Sequence, residues 1–331
     1  MDKEFKNKTI LVTGGTGSIG SVLVRELLAS GPRQVRVLSR DDTKQYYLRE
    51  SLGYPKNLRL LIGDIRDRER LLRAFDGVDI VLHAAALKHV PIGEYNPFEL
   101  VKTNIIGSQN VIEAALEKKV KKVVAISTDK VVHPANAMGV TKLMMEKLFI
   151  NANYYKGEAP TKFSCVRFGN VAWARGSVLE LWKQQAARDG AIAVTNANMS
   201  RFFMSSEQAI RLVLRAAALT QGGEIFVFKM PSIKLLDLAA VFVKKHFPDK
   251  KVRVNVVGNR VGEKLHEELF DGQDQNRQLL EDKELFVIVP NVEIFEQEPS
   301  RVRYAGFRRV VKPEPYSSRD RIDRAAVARL V

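Results

Sequence analysis

Three adjacent residues, Thr128-Asp129-Lys130, set a hydroxyl, a carboxyl and an amine side by side. Such a triplet can move protons once burial or a neighbouring charge brings the amine toward its neutral form and the carboxyl toward its acid form. Met138 follows, and Lys142 lies four residues beyond it, so the two share one helical face. An acid beside a lysine is ordinarily a surface salt bridge or a strand-end turn. The triplet gains weight from what precedes it, a pattern suited to a dinucleotide.

That pattern is Gly14-Gly15-Thr16-Gly17-Ser18-Ile19-Gly20, which satisfies G-x-G-x-x-G between an apolar strand and an apolar helix. The glycines permit a tight turn and close approach of a pyrophosphate, whose charge sits at the helix N-terminus. Ser39-Arg40 closes the second strand about twenty residues further on, where an NAD site places an acid. Arginine suits a 2′-phosphate instead, Lys44 can add charge, and the reading is NADP. Asp41 and Asp42 leave NAD as the second choice. Gly63-Asp64-Ile65 has the character of an adenine-edge contact, and Ala84-Ala85-Ala86 is small enough for the cofactor backbone to pass. His83 reads as a packed core histidine.

Positioning these groups requires alternating strands and helices. Strands are predicted at Thr9–Thr13, Gln34–Ser39, Leu58–Gly63, Ile80–Ala84, Lys122–Ser127 and Phe163–Phe168. Helices are predicted at Ser18–Ser30, Thr43–Leu52, Arg68–Phe75, Pro97–Glu117 and Met138–Tyr155. Strands rich in Val, Ile and Leu without clean alternation imply a parallel sheet covered on both faces, a doubly wound α/β fold of Rossmann type. After Asn170 the rhythm breaks, and residues 171–204 read as loops with one helix near Ser177–Asp189. Helix Ser206–Thr220 and buried strand Glu224–Lys229 bring the chain back to the sheet. Helix Leu235–His246 and strand Lys251–Val257 follow. The expected division is a cofactor domain over 1–170 plus about 205–230, a discontinuous substrate domain over about 171–204 and 231–290, and a basic C-terminal extension over 291–331.

The bulk properties set limits. At 331 residues and 45% hydrophobic, the chain can bury a substantial core. The lone Cys165 excludes an internal disulfide, reads as a buried structural thiol and fits a reducing compartment. No bilayer-length apolar run or signal-peptide segment is evident, so a cytoplasmic location is expected. The net charge of +15 is concentrated late, with nine Lys/Arg against three Asp/Glu from Arg301 to Val331. Without a nucleic-acid module or an aromatic-interleaved groove, this reads as a solvated basic surface rather than a nucleic-acid site. No residue set is read as a metal site.

Several blocks together resemble the extended short-chain dehydrogenase/reductases, and among them the inverting UDP-N-acetylglucosamine 4,6-dehydratases. They are Thr13–Gly20, Ser39-Arg40-Asp41, Gly63–Asp67, His83–Pro91, Thr103-Asn104, Ser127–Lys130, Arg167–Val171, Arg175–Val178, Ser200-Arg201-Phe202 and Gly262-Glu263-Lys264. The resemblance implies a redox-neutral cycle. Hydride leaves the sugar C4, water is lost across C5 and C6, hydride returns to C6, and C5 is reprotonated from the opposite face. Lys130 would act at C5, Asp129 would donate to the departing C6 hydroxyl, and Lys142 would hold the nicotinamide ribose.

The resemblance further places Lys88 beside the sugar and nicotinamide. Asn170, Val178, Arg201 and Arg260 would line the nucleotide diphosphate pocket, with Glu263 on the ribose and Thr195 and Met199 toward the uracil. It also implies self-association, commonly as hexamers. Met138 stands where relatives carry the tyrosine that takes the C4 hydroxyl proton; Thr128, or a water held near it and Asp129, would relay that proton instead. Trp173 stands where relatives have small residues, either narrowing the sugar pocket or filling a domain interface. A 5,6-dehydratase, a retaining 4,6-dehydratase and a C4 epimerase share the fold. Retaining enzymes typically carry an Asp-Glu pair where this chain has Asp129-Lys130. A non-catalytic cofactor-binding regulator with a nucleic-acid-binding tail is the reading from another class.

Overall fold

The computed structural model describes residues 2–272, 277–290, 303–320 and 322–331. The first half alternates as expected. Helix α1 (Asp2–Phe5) leads into β1 (Thr9–Thr13), α2 (Ser18–Ala29), β2 (Gln34–Ser39), α3 (Asp42–Ser51), β3 (Leu58–Ile62), α4 (Arg68–Ala74) and β4 (Ile80–His83). Then come α5 (Val90–Tyr95), α6 (Pro97–Leu100), a π-helical turn (Val101–Ile106), α7 (Gly107–Glu117), β5 (Lys122–Ile126), α8 (Ala137–Tyr155) and β6 (Lys162–Arg167). Aspartates start α3 and α4: the Asp41 carboxylate accepts from the Lys44 amide, and Asp67 from the Arg70 amide.

The second half holds β7 (Asn170–Val171), α9 (Val178–Asp189), β8 (Ala191–Val194), β9 (Ser200–Met204), α10 (Ser206–Leu219), β10 (Ile225–Phe228), β11 (Ser232–Lys234) and α11 (Leu235–His246). It closes with β12 (Arg253–Val256), β13 (Glu268–Phe270), β14 (Arg277–Glu281), β15 (Leu285–Pro290), β16 (Arg308–Arg309), β17 (Tyr316–Ser317) and α12 (Arg324–Leu330).

One ten-stranded sheet runs β16-β14-β15-β10-β6-β5-β4-β1-β2-β3. From β10 to β3 every neighbouring pair is parallel. The order reverses between β1 and β4, and a cleft opens at such a switch point beyond the carboxyl ends of the strands. This is the expected doubly wound arrangement, and β10 returns to the sheet beside β6 as anticipated.

Three expectations need correction. Residues 171–204 hold strands as well as the helix, because β8 pairs with β12 and β9 with both β7 and β11. The expected helix Pro97–Glu117 is interrupted by the π-helical turn, which carries Thr103 and Asn104. The segments assigned to a substrate domain and a tail are interwoven with the rest. The antiparallel hairpin β14–β15 extends the large sheet, and Tyr304 donates its hydroxyl to the buried Glu224 carboxylate at 2.7 Å. Helix α12 packs into a second apolar core with Leu179, Trp182, Phe203, Leu238 and Phe242. Residues 291–302 and 321 of the expected extension lie outside the described residues. Among the described residues no helix is long and apolar enough to cross a membrane.

A buried ion pair joins α8 to β6 behind the cleft. Arg167 donates to both Glu146 oxygens at 2.8 and 2.6 Å and to the Leu269 carbonyl at 3.0 Å. Glu146→Ala would strand the guanidinium, so a loss of about 3–5 kcal/mol of unfolding free energy is expected. Equilibrium urea unfolding measures it; a loss below about 1 kcal/mol, the level of an exposed pair, would contradict this burial.

Candidate active site

A cavity of about 1150 Å³ lies over the switch point and extends to the second core. At one end the glycine turn forms a cradle. Gly14 has φ +67°, and a Cβ there would meet the Ala85 backbone at 2.8 Å. At Gly20 a Cβ would lie 2.3 Å from the Gly14 carbonyl oxygen, so neither position tolerates a side chain. Thr16 and Ser39 join their hydroxyls at 2.7 Å, tying the turn to the end of β2. Gly17, Ser18, Ile19, Arg40, Lys44, Asp64, Ile65, Ala84 and Ala86 line the same end, which fits a dinucleotide. Arg40 leans on Asp64 at 3.6 Å, and Lys44 pairs with Asp41 at 2.5 Å.

His83 is a core residue as expected. Its ring lies between the Thr13 and Ser108 hydroxyls at 2.7 and 3.2 Å, and burial pushes it down to about 3. Cys165 is fully buried, its thiol pushed up by the same desolvation.

The centre of the cavity is built on the turn between β5 and α8. Thr128 donates its hydroxyl to Asp129 Oδ1 at 2.8 Å, and Lys130 Nζ donates to the same oxygen at 2.8 Å. Thr128 and Lys130 line the cavity; Asp129 does not, being fully buried with Oδ2 lacking a hydrogen-bond partner. Direct donation from Asp129 to a sugar oxygen therefore has no path in this geometry. Its carboxylate reaches the cavity through the two side chains that share it.

The expected lowering of the Lys130 amine is also corrected. Burial alone would lower it, but Asp129 and then Glu267 outweigh that and hold it above its ordinary value. Lys142 is lowered instead, pushed by burial to about 8, with Nζ donating to the Ile126 carbonyl. Met138 sits one turn before it on the cavity wall, 4% exposed. Asn136 caps this helix through the Gly139 amide at 2.8 Å and reaches across to the Gly262 carbonyl at 2.8 Å. Lys88 enters from the loop after β4, and burial lowers its amine. Asn104 holds that loop by bonding both the amide and the carbonyl of Leu87, at 2.9 and 3.0 Å.

At the far end Asn170, Val178, Thr195, Met199, Arg260 and Glu263 all line the cavity. Arg201 lines it too, but its terminal nitrogens donate to the Ser200, Leu265 and Lys264 carbonyls at 2.8, 3.1 and 2.8 Å. That use of the fork distinguishes it from Arg260, which is exposed where it lines the cavity. Trp173 is absent from the lining and lies half-exposed against the second apolar core. Its indole donates to the Leu330 carbonyl at 3.0 Å and packs against Phe242 and His246. Sequence reasoning missed Glu267, a 2%-exposed carboxylate lying 3.8 Å from Lys130, 3.1 Å from Lys264 and 4.0 Å from Arg201. Lys264 lies three residues before it in the sequence, but only folding brings Lys130 and Arg201 to it.

The family model described as "Polysaccharide biosynthesis protein" matches residues 10–289. The chain belongs to this polysaccharide biosynthesis protein family. A UDP-N-acetylglucosamine 4,6-dehydratase (inverting) of Campylobacter jejuni is 42% identical over 296 residues, 89% of this chain and 86% of the relative. A UDP-glucose 4-epimerase of Rickettsia conorii is 40% identical over 274 residues, 82% of this chain and 80% of that one. The crystal structure of Pen from Bacillus thuringiensis superposes with a TM-score of 0.91 at 40% identity, covering 98% of this chain and 97% of that one. The chain is thus similar both to a dehydratase and to an epimerase, in keeping with the resemblance carried by the sequence blocks.

Proposed function

We propose that the chain is a UDP-N-acetylglucosamine 4,6-dehydratase that inverts C5, serving the synthesis of surface polysaccharide. The observation that carries this reading is the Thr128–Asp129–Lys130 cluster, one carboxylate oxygen shared by a hydroxyl and an amine beside a dinucleotide cradle. NADP is the preferred cofactor: Arg40 and Lys44 would hold its 2′-phosphate, and it would supply the hydride chemistry at the sugar C4 and C6.

The residues supply the proton steps. Thr128 takes the C4 hydroxyl proton while passing its own to Asp129, so no phenol is required at position 138. After oxidation, the ketone acidifies H5. Lys130, its amine having already lost its proton to solvent, removes H5 as a free amine. The proton stored on Asp129 returns through Thr128 to the C6 hydroxyl, which leaves as water. Lys142 holds the nicotinamide ribose, and Arg260 with Glu263 receives the nucleotide. We also infer self-association and a reducing, cytoplasmic setting, the latter supported by the lone buried Cys165.

Because the relay bypasses the helix position of Met138, Met138→Tyr should keep kcat within about tenfold. A required acid–base group there would command ~10²–10⁴, so complete loss with NADPH still bound would contradict the relay.

A C4 epimerase is the second reading, favoured by the Rickettsia relative. Mass spectrometry after incubation with UDP-N-acetylglucosamine and no added reductant separates them. Dehydration yields a product lighter by one water, whereas epimerisation leaves the mass unchanged and would overturn the proposal.

A further inference from the structure

The loop after β7, residues 172–177, connects two parts of the molecule. Trp173 anchors its beginning in the second core through the Leu330 carbonyl. Two residues later the chain touches the glycine turn twice. The Arg175 amide donates to Ser18 Oγ at 2.9 Å, and its guanidinium donates to the Thr16 carbonyl. The Arg175 carbonyl accepts from Lys88 Nζ at 2.9 Å, binding the same peptide to the loop on the opposite side. Gly176, at φ +72°, then packs so closely that a Cβ would lie 2.8 Å from the His89 ring.

Arg175 also lies within electrostatic reach of the ribose end of the cradle. The Asp41 carboxyl is held below its ordinary value first by Lys44, and Arg175 adds a smaller attraction. Thr16, Ser18, Asp41, Lys88 and Arg175 all border the one cavity. An arginine offers five N–H donors in a planar fork that suits phosphate oxygens. Its bond to Thr16 leaves donors for such a ligand, while its exposed position keeps it dispensable for folding.

We propose that Arg175 and its loop form a clasp across the cleft that binds the dinucleotide's phosphates and keeps the cofactor in place between turnovers. A redox-neutral cycle gains from this, because a cofactor regenerated in place has no reason to leave. The inference rests on reading the cleft as a dinucleotide site, and the test separates the two.

The full-length chain, R175A and R175K are freed of nucleotide, and NADPH binding is followed by fluorescence titration and stopped-flow dissociation. R175A is expected to bind about tenfold or more weakly, ~1.4 kcal/mol, through faster release. R175K, which keeps the charge without the fork, falls between. An R175A protein with wild-type affinity and release rate overturns the clasp while leaving the dinucleotide site intact. A wild-type chain that binds neither NADPH nor NADH overturns both. If R175A melts lower than wild type, R175K decides: weaker binding at an unchanged melting temperature supports the clasp, and wild-type binding overturns it.

Discussion

Lys130→Met is expected to stop the reaction after oxidation at C4. The variant keeps the cavity shape but removes the amine that shares Asp129 Oδ1 with Thr128. Oxidation needs only the Thr128–Asp129 pair, so reduced cofactor should accumulate on the enzyme and be visible in its near-ultraviolet absorbance. Dehydration should fall by ~10²–10⁴, the contribution of a positioned general base. A variant that still released water-depleted product within about tenfold of wild type would remove Lys130 from the C5 step. One that failed even to reduce its cofactor would place the amine in the first proton transfer instead.

Glu267→Gln should move the pH dependence. Lys130 is faced by Asp129 from its own turn, by Glu267 ahead of β13, by the Arg201 guanidinium from β9 and, through Glu267, by Lys264. Burial lowers the amine, the two carboxylates raise it further, and Arg201 opposes them, with a net rise. Since Lys130 acts as a free amine, activity should increase with pH as that proton is lost. Glutamine removes one of the two charges holding the proton, so the rising limb of the kcat profile should shift to lower pH. It would also leave Lys264 and Arg201 facing an uncharged amide, and a stability loss approaching about 3–5 kcal/mol should accompany it. A uniform fall in kcat with an unmoved limb would reduce Glu267 to a packing role.

What was readable in the sequence follows how local each signal is. The first six strands and their helices announce themselves because apolar runs, capping residues and glycines all act within a few positions. The dinucleotide cradle is legible for the same reason, and so is the buried state of His83 and Cys165. Strands β8 and β9 were read as loop because each is short and earns its place only by pairing with β12 or β11, some 30–60 residues away. Arg201, buried near the start of β9, argues locally against a buried strand; the adjacent Ser200 carbonyl and the distant Lys264 and Leu265 carbonyls make it possible. The hairpin β14–β15 gave no sign of joining the cofactor sheet, since its partner β10 lies across a domain change in sequence.

The chemistry divides in the same way. Neighbours in sequence, Thr128, Asp129 and Lys130, could be identified as a unit, but not the direction in which Asp129 would turn. Its burial beneath the other two follows from packing against Gly169, where an added Cβ would meet Asp129 Oδ2 at 3.1 Å. Nor could the sequence tell that Lys130 would be the raised amine and Lys142 the lowered one. Lys130 is raised by Asp129 and then by Glu267, more than a hundred residues downstream, whereas Lys142 is lowered by its burial.

The most direct test is an NMR spectrum of the purified chain incubated with UDP-N-acetylglucosamine in D₂O without added reductant. The account requires a 6-deoxy-4-keto sugar nucleotide carrying solvent deuterium at an inverted C5, with the original C4 hydrogen found at C6. A product that keeps its C6 hydroxyl, or a dehydrated one with C5 unchanged in configuration, would contradict it.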